Sequence, residues 1–376
     1  MRVRHSVPLR SRAPGSVCWF LATLLAAQSP EEYFRGAGIG YRQTSEEQRR
    51  FWQPHIASSH QRILEAAGLV ERRDVVTVLG ARNCTEIPLD ELARRFERVV
   101  LADLDGPSLL EAIQALPLEL RPKVELHVSD VTSFVAPLMA NLERAAEEAA
   151  TAGEALDAFG RIFAGLPAGH IPPRLPASDL VVSSLVLSAL DRYPLAYADR
   201  LLQTRFGQRL RTWGGLEAAG SRLRRVAIED HVGLLRTLCR PGGAVYFADT
   251  LARGPAYAQF PATVRGEVES AAGREMVRLG LDGGAAMLPR LCQSKYGTER
   301  EIAAFEALLA AYERAGPHTF ETMVAMAEVE PAWKRHGLAV PGGPVSWWWI
   351  EYPCAIIHSP GGFRVTSWIL RPLPAE

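Results

Sequence analysis

The chain has 376 residues, of which 48% are hydrophobic and 22% charged. That is ordinary globular composition with enough apolar material for a large core, and it excludes a disordered tail. Lys plus Arg and Asp plus Glu both total 42, so the formal net charge is zero and the electrostatic footprint of a nucleic-acid binder is missing. The run at Arg222, Arg224 and Arg225 reads as a solvated helix face. Cys18, Cys84, Cys239, Cys292 and Cys354 form no CxxC or Cys/His cluster, which argues against a disulfide framework and against a zinc site. His55 and His60 are five apart and would not share a helix face, so no metal site is expected from them either.

At the amino end, basic residues up to Arg12 precede "VCWFLATLLAA". This apolar run has signal-peptide length and is too short for an ordinary membrane span. It is read here as a first helix packed on the body of the protein, with secretion as the alternative. Residues 29–69 look like helices broken by a glycine-rich elbow. Gly36, Gly38 and Gly40 imitate a GxGxG fingerprint, but no strand precedes them, so they are read as a loop. Ser45 followed by Glu46, Glu47 and Gln48 opens a helix with capping residues and negative charge at its positive end.

From about residue 74 strands and helices alternate. Strands are expected at Val75 to Leu79, Val99 to Ala102, Val124 to Val128, Leu180 to Leu185 and Ala244 to Ala248. They are short and almost wholly apolar, as in a parallel sheet covered on both faces. Right-handed crossovers then make a doubly wound α/β sheet the economical fold. Ala136 to Gly160 is Ala- and Glu-rich and should be helical, and "GHIPPRLPASD" is a proline-broken approach to the fourth strand. Residues 253 to about 340 read as mostly helical, an insertion or lid. "VSWWWIEYPCAII" and "FRVTSWILRP", separated by "HSPGG", read as a hairpin, which needs one antiparallel member in the sheet. The expected organisation is an amino-terminal helical segment (1–72), a core (73–252), a helical insertion (253–344) and a hairpin completing the core sheet (345–376).

These pieces in this order resemble the class I S-adenosylmethionine-dependent methyltransferases, whose seven-stranded Rossmann-like sheet ends in such a hairpin. The resemblance covers roughly residues 74–250 and returns at 345–370. In that family the first strand ends in a loop like LGxGxG, here "LGARNC" from Leu79 to Cys84. Gly80 matches; Arg82 and Cys84 do not. The resemblance assigns the loop residues Gly80, Ala81 and Asn83, and Glu86 just beyond them, to the cofactor. Glu86, Asp90 and Glu91 crowd the start of the following helix, where negative charge would repel a pyrophosphate but suit an ammonium and a sulfonium. Pro88 fits the first turn of that helix, and its acidic residues equally suit helix stability alone.

The second strand ends "VVLADLDG", which puts Asp103 a little over twenty residues beyond Gly80, the spacing at which a carboxylate accepts from both ribose hydroxyls. Leu104 follows it in the same site, and Asp105 is left to capping or solvent. The third strand ends "VELHVSDVTSF". By resemblance Asp130 receives the adenine amino group and Val131 packs on the ring; an N-cap is the competing account of Asp130. Ser183 and Ser184 fall near the end of the fourth strand, and Ser183 is assigned to the methyl-bearing end of the cofactor. "LCRPGGAVYFADT" resembles the proline and glycine turn into the fifth strand and performs no chemistry.

Methyl transfer is an in-line displacement at an activated carbon, so positioning and exclusion of water can suffice, and no catalytic residue is assigned. Should the acceptor need deprotonation, Tyr41, His55, His60, Glu229 and His231 are available. Trp347, Trp348, Trp349 and Tyr352 are expected in the core, with an aromatic acceptor pocket or a cation as the other use; alternation along a strand keeps all three tryptophans from sharing one pocket. The reading is thus a methyltransferase for S-adenosylmethionine and a small-molecule acceptor, without a nucleic-acid partner or stable membrane insertion, in the cytoplasm where that cofactor is made. A methyltransferase-like scaffold without turnover and an NAD(P)-dependent oxidoreductase are the alternatives.

Overall fold

The computed structural model describes residues 49–132, 134–166, 174–253, 321–350 and 362–374, together with 270 and 274. Helix α1 (Arg49–Leu69) leads into strand β1 (Val75–Leu79), then α2 (Leu89–Arg95), β2 (Arg98–Asp103), α3 (Gly106–Gln114), β3 (Val124–Val128), α4 (Val135–Glu148) and α5 (Ala152–Ala164). The second half runs β4 (Ser178–Ser184), α6 (Leu187–Leu190), α7 (Arg192–Phe206), α8 (Leu216–Leu238), β5 (Cys239–Arg253), β6 (Glu321–Thr322), α9 (Met326–Arg335), β7 (Leu338–Ala339), β8 (Val345–Ile350) and β9 (Gly362–Pro372). The apolar run near the amino terminus, the glycine-rich elbow, the helix start at Ser45 and Tyr352 lie outside the described residues, as does most of the expected insertion.

The sheet order is β3-β2-β1-β4-β5-β9, with β8 and the short β7 both on the outer edge of β9. Strands β1 to β5 are mutually parallel. β9 is antiparallel to β5 on one side and to β8 on the other. This is the doubly wound, mostly parallel Rossmann-like sheet implied by the methyltransferase resemblance, with its antiparallel member in β9. The order reverses between β1 and β4, and open α/β sheets bind ligands at the carboxyl end of the strands flanking such a reversal.

Side chains alternate across the sheet and build two cores. On one face Val76, Val78, Leu101, Val182 and Tyr246 pack with α1, α2 and α3 residues such as Trp52, Leu92 and Leu109. On the other, Leu79, Val181, Val245 and Phe247 pack with Leu138, Phe159, Leu234 and Trp333. All five residues of β1 are buried, which is why this strand carries no polar alternation.

The Ala- and Glu-rich run forms two helices. Thr151 Oγ1 accepts from the Glu154 N–H while Glu154 Oε2 accepts from the Ala150 N–H, a capping-box arrangement that restarts the helix inside "TAGE". β5 is longer than its apolar centre because the proline and glycine turn is part of it. A Cβ at Gly243 would sit 2.7 Å from the Asp179 carbonyl oxygen, so only glycine lets β5 approach β4 there. Of the three arginines expected on a solvated face, two make tertiary contacts: Arg222 donates to the Leu166 carbonyl and Arg224 to Asp191.

The amino ends of three strands are joined by Asp179. Its buried carboxylate accepts from the Asp74 and Val75 N–H groups at 2.8 and 3.0 Å and from Arg240 Nη1 at 3.1 Å. Asp179→Ala leaves those donors without their charged acceptor. It should lower the unfolding free energy by about 3 kcal/mol in urea denaturation; a change within ~0.5 kcal/mol contradicts this role.

Candidate functional site

The loop after β1 keeps the backbone of a glycine-rich turn without its glycines. Gly80, Arg82 and Cys84 have φ of 64°, 47° and 55°, so all three alternate positions of the LGxGxG pattern are left-handed although only the first is glycine. A left-handed conformation costs an L-residue on the order of 1–2 kcal/mol. At Gly80 a Cβ would lie 2.7 Å from Val186 Cγ2, so a larger residue there would have to push Val186 aside as well as bear the left-handed strain. At Arg82 the strain is offset by a hydrogen bond, its N–H donating to Asp103 Oδ2 at 3.1 Å. Cys84 is buried and its N–H closes a turn on the Ala81 carbonyl at 2.8 Å. Burial, with Asp103 and Glu86 nearby, pushes the Cys84 thiol far up, so it stays protonated.

Gly80, Asp103, Leu104, Asp130 and Val131 line one cavity of about 100 Å³, at the carboxyl ends of β1, β2 and β3 beside the sheet reversal. Arg82, Asp105, Ser129 and Val135 line it as well, and the far wall is Leu185, Val186, Ala189, Leu190 and Tyr193 from the segment after β4. Its walls are mainly aliphatic, and its charged lining is three carboxylates and one guanidinium. Asp103 Oδ1 accepts from the Asp105 N–H at 2.8 Å and Oδ2 from the Arg82 N–H. Each oxygen therefore retains an acceptor position, since a carboxylate offers roughly four. Asp105 caps α3, accepting from the Ser108 N–H and hydroxyl. Asp130 organises the turn into α4: Oδ1 accepts from the Thr132 N–H and Oγ1, and Oδ2 from the Ala136 N–H at 2.7 Å. The capping account of Asp130 therefore describes its hydrogen bonds, while its place in the cavity wall leaves one position on Oδ2 to face a ligand.

The other sequence-assigned residues face elsewhere. Ala81 is buried in the core on the α1 side. Asn83 Oδ1 accepts from the Thr85 hydroxyl within the loop. Glu86 is buried with Oε1 3.7 Å from His55 Nε2. Ser183 lies 2.8 Å from His231 Nε2 on α8 and is not among the residues that line the cavity. The cavity instead meets Leu185 and Val186, just past the strand end, and Leu185 is itself left-handed with φ of 58°. Pro88 precedes α2 rather than opening it.

None of the described base candidates, His55, His60, Glu229 and His231, lines this cavity. His55 Nδ1 accepts from the Trp347 indole N–H at 2.8 Å. An indole nitrogen only donates, so the proton of a neutral His55 ring is on Nε2, toward Glu86. The ring is stacked on Trp349 at 4.9 Å, and Trp52 meets Trp349 edge-on. Trp347 and Trp349 therefore dock α1 on the sheet. His60 reaches the Thr85 carbonyl at 3.3 Å, and burial lowers its pKa against the opposing influence of that carbonyl, Glu86 and Asp90. His55 and His60 thus both hold the loop after β1, despite their five-residue spacing. Glu229 pairs with Arg335 and His336 between α8 and α9. Tyr41 lies outside the described residues.

No known protein-family profile matches the chain, and no curated protein sequence is similar to it. Solved structures similar to it include an O-methyltransferase family protein from Burkholderia thailandensis, 14% identical over 94% of this chain and 68% of that one, with a TM-score of 0.39. PKMT2 from Rickettsia typhi in complex with AdoHcy is 11% identical over 85% of this chain and 54% of that one, at 0.34. A geranyl diphosphate methyltransferase in complex with SAM is 9% identical over 94% and 95%, at 0.35. Scores this low add no weight to the strand order already described. Among the described residues no helix is long and apolar enough to cross a membrane.

Burial, the largest influence, raises the Asp103 carboxyl above its ordinary value, against the Asp105 and Arg82 N–H groups and the Arg82 charge. A raised carboxyl stabilises the fold fully below its unfolded value near ~4, and that share is lost as pH rises through the folded value. In Asp103→Asn, urea unfolding free energies measured across that window should fall less with rising pH than in the wild type. Identical slopes would contradict the upward shift of the Asp103 carboxyl.

Proposed function

We propose that this cleft binds S-adenosylmethionine and that the protein is a methyltransferase acting on a small molecule. The observation that carries the reading is the acceptor geometry of Asp103. Each of its oxygens holds one backbone N–H and keeps one free acceptor position, the arrangement a vicinal ribose diol requires. Val131 and Leu104 offer apolar surface for an adenine ring, and Asp130 Oδ2 offers an acceptor for its amino group. The residues present therefore fit the nucleoside end of the cofactor.

Charge supports the same choice. Three carboxylates and one guanidinium line the cavity, an acid excess that favours a ligand with an ammonium and a sulfonium. It opposes the pyrophosphate of NAD, which binds where backbone N–H groups and positive charge converge. When bound, the cofactor supplies a methyl carbon activated by positive sulfur. The chain's part is to fix the ribose through Asp103, cover the adenine with aliphatic side chains and exclude water. A small-molecule acceptor agrees with the balanced charge of the chain, and a cytoplasmic location goes with a cofactor made there.

A scaffold without turnover is the second reading, favoured by one observation. The cavity, at about 100 Å³, is well under the roughly 300–1,000 Å³ of ligand pockets. Calorimetry separates the readings. We expect binding of S-adenosylmethionine and S-adenosylhomocysteine and none of NAD. Asp103→Ala should weaken binding about 100-fold, or about 2.7 kcal/mol, for two hydrogen bonds to an ionised acceptor. Binding of NAD alone would refute the proposal, and binding of S-adenosylmethionine without methyl transfer to any component of a cell extract would favour the scaffold.

A further inference from the structure

We propose that Asp249 is a positioning residue for the cleft: its buried carboxylate, on β5, holds α6 in place as the wall that closes over a bound nucleoside. This rests on the reading of the cleft given above and adds what fixes its far side. Leu185, Val186, Ala189 and Leu190 belong to that wall, and little within the segment itself sets its shape. Leu185 is left-handed, with φ of 58°. Helix α6 has four residues and no side-chain cap of its own, far below the length at which a helix holds without tertiary support. Its anchors come from β5. The Leu185 N–H donates to the Ala248 carbonyl at 2.8 Å, and the Ser188 N–H to Asp249 Oδ2 at 3.1 Å. The Ser188 N–H is one of the first-turn donors that a helix leaves without an internal partner, so Asp249 stands in for the missing cap.

The strand gives Asp249 a rigid base. It follows Ala248, which pairs with Ser184 of β4, and itself pairs with Thr366 of β9, so its backbone is held from both sides. The side chain is fully buried, and its partners are neutral donors of Ser188 and Thr250. Oδ2 takes the Ser188 N–H, and Oδ1 takes the Thr250 N–H at 2.7 Å and the Thr250 hydroxyl at 3.4 Å. Burial raises the Asp249 carboxyl, and only these donors oppose it. A carboxylic group suits the position because N–H donors arrive at both of its oxygens, whereas an amide accepts at one end only. Two residues before Ser188, Val186 lies over the turn at Gly80, where a Cβ would meet its Cγ2 at 2.7 Å. The wall and the loop after β1 therefore meet. Each is tied to the sheet by a carboxylate, the loop by Asp103 on β2 and the wall by Asp249 on β5.

Asp249→Ala in the full chain removes the anchor. Amide hydrogen exchange without ligand should then speed up about tenfold or more across residues 185–190, while β1 and β2 keep their protection. Binding of S-adenosylhomocysteine and of 5′-methylthioadenosine, which share the nucleoside, should weaken by a similar factor of about tenfold, because the wall is then formed in only a fraction of the molecules. Thr250→Val removes a donor from Oδ1 alone and should leave both readouts as in the wild type. Should Asp249→Ala lose its cooperative thermal unfolding, Asp249→Asn takes its place. One acceptor then serves two N–H donors, and both effects should keep their direction at about threefold. Unchanged exchange at residues 185–190 overturns the proposal. So does faster exchange spread evenly over the sheet, or faster local exchange with unchanged affinity for both ligands. If the wild type binds neither ligand, the nucleoside reading of the cleft is lost, and the role of the wall in binding is lost with it.

Discussion

The hydrogen bond from the Arg82 N–H to Asp103 Oδ2 ties the loop leaving β1 to the end of β2, and the rest of the site depends on it. The strained turn from Gly80 to Cys84 needs an external acceptor to hold its shape, and the half-buried carboxylate of Asp103 needs donors to remain acceptable in an aliphatic setting. Each supplies what the other lacks. Because β1 and β2 are paired in parallel register from Val75 with Arg98 to Leu79 with Ala102, both partners arrive at the same height above the sheet.

The loop is gripped from its other side by α1. His55 faces Glu86 and His60 reaches the Thr85 carbonyl, while the Trp347 indole fixes the tautomer of His55. Helix α1 is packed on β8, at the far end of the sheet from β3. Movement of α1 over the tryptophans would therefore be felt at the loop through two imidazoles, a contact chain with no counterpart in the glycine pattern of the loop itself.

Much of the fold was legible because buried parallel strands advertise themselves: β1 and β3 run over the expected residues, and their neighbours differ only at the ends. Helix breaks were harder. The restart at Thr151 lies in a run of helix-forming residues, and only the Thr-to-Glu spacing marks it. In the site, Gly80, Asp103, Leu104, Asp130 and Val131 share one cavity because strand ends are fixed by the strands. The far wall was not visible. Leu185 lies beyond the regular alternation in a left-handed conformation, and Ala189, Leu190 and Tyr193 belong to a segment without a motif. Ser183, chosen for its place near the end of β4, hydrogen-bonds His231 on α8 and does not reach the cavity. The loop gives the opposite lesson, since Arg82 and Cys84 depart from the glycine pattern in letters while their backbones follow it.

The most direct test of the account is a crystal structure of the full chain grown with S-adenosylhomocysteine. The account predicts the ribose hydroxyls on the two oxygens of Asp103 and the adenine against Val131 and Leu104 with its amino group toward Asp130. Nucleoside density elsewhere on the protein, away from Asp103, would contradict it.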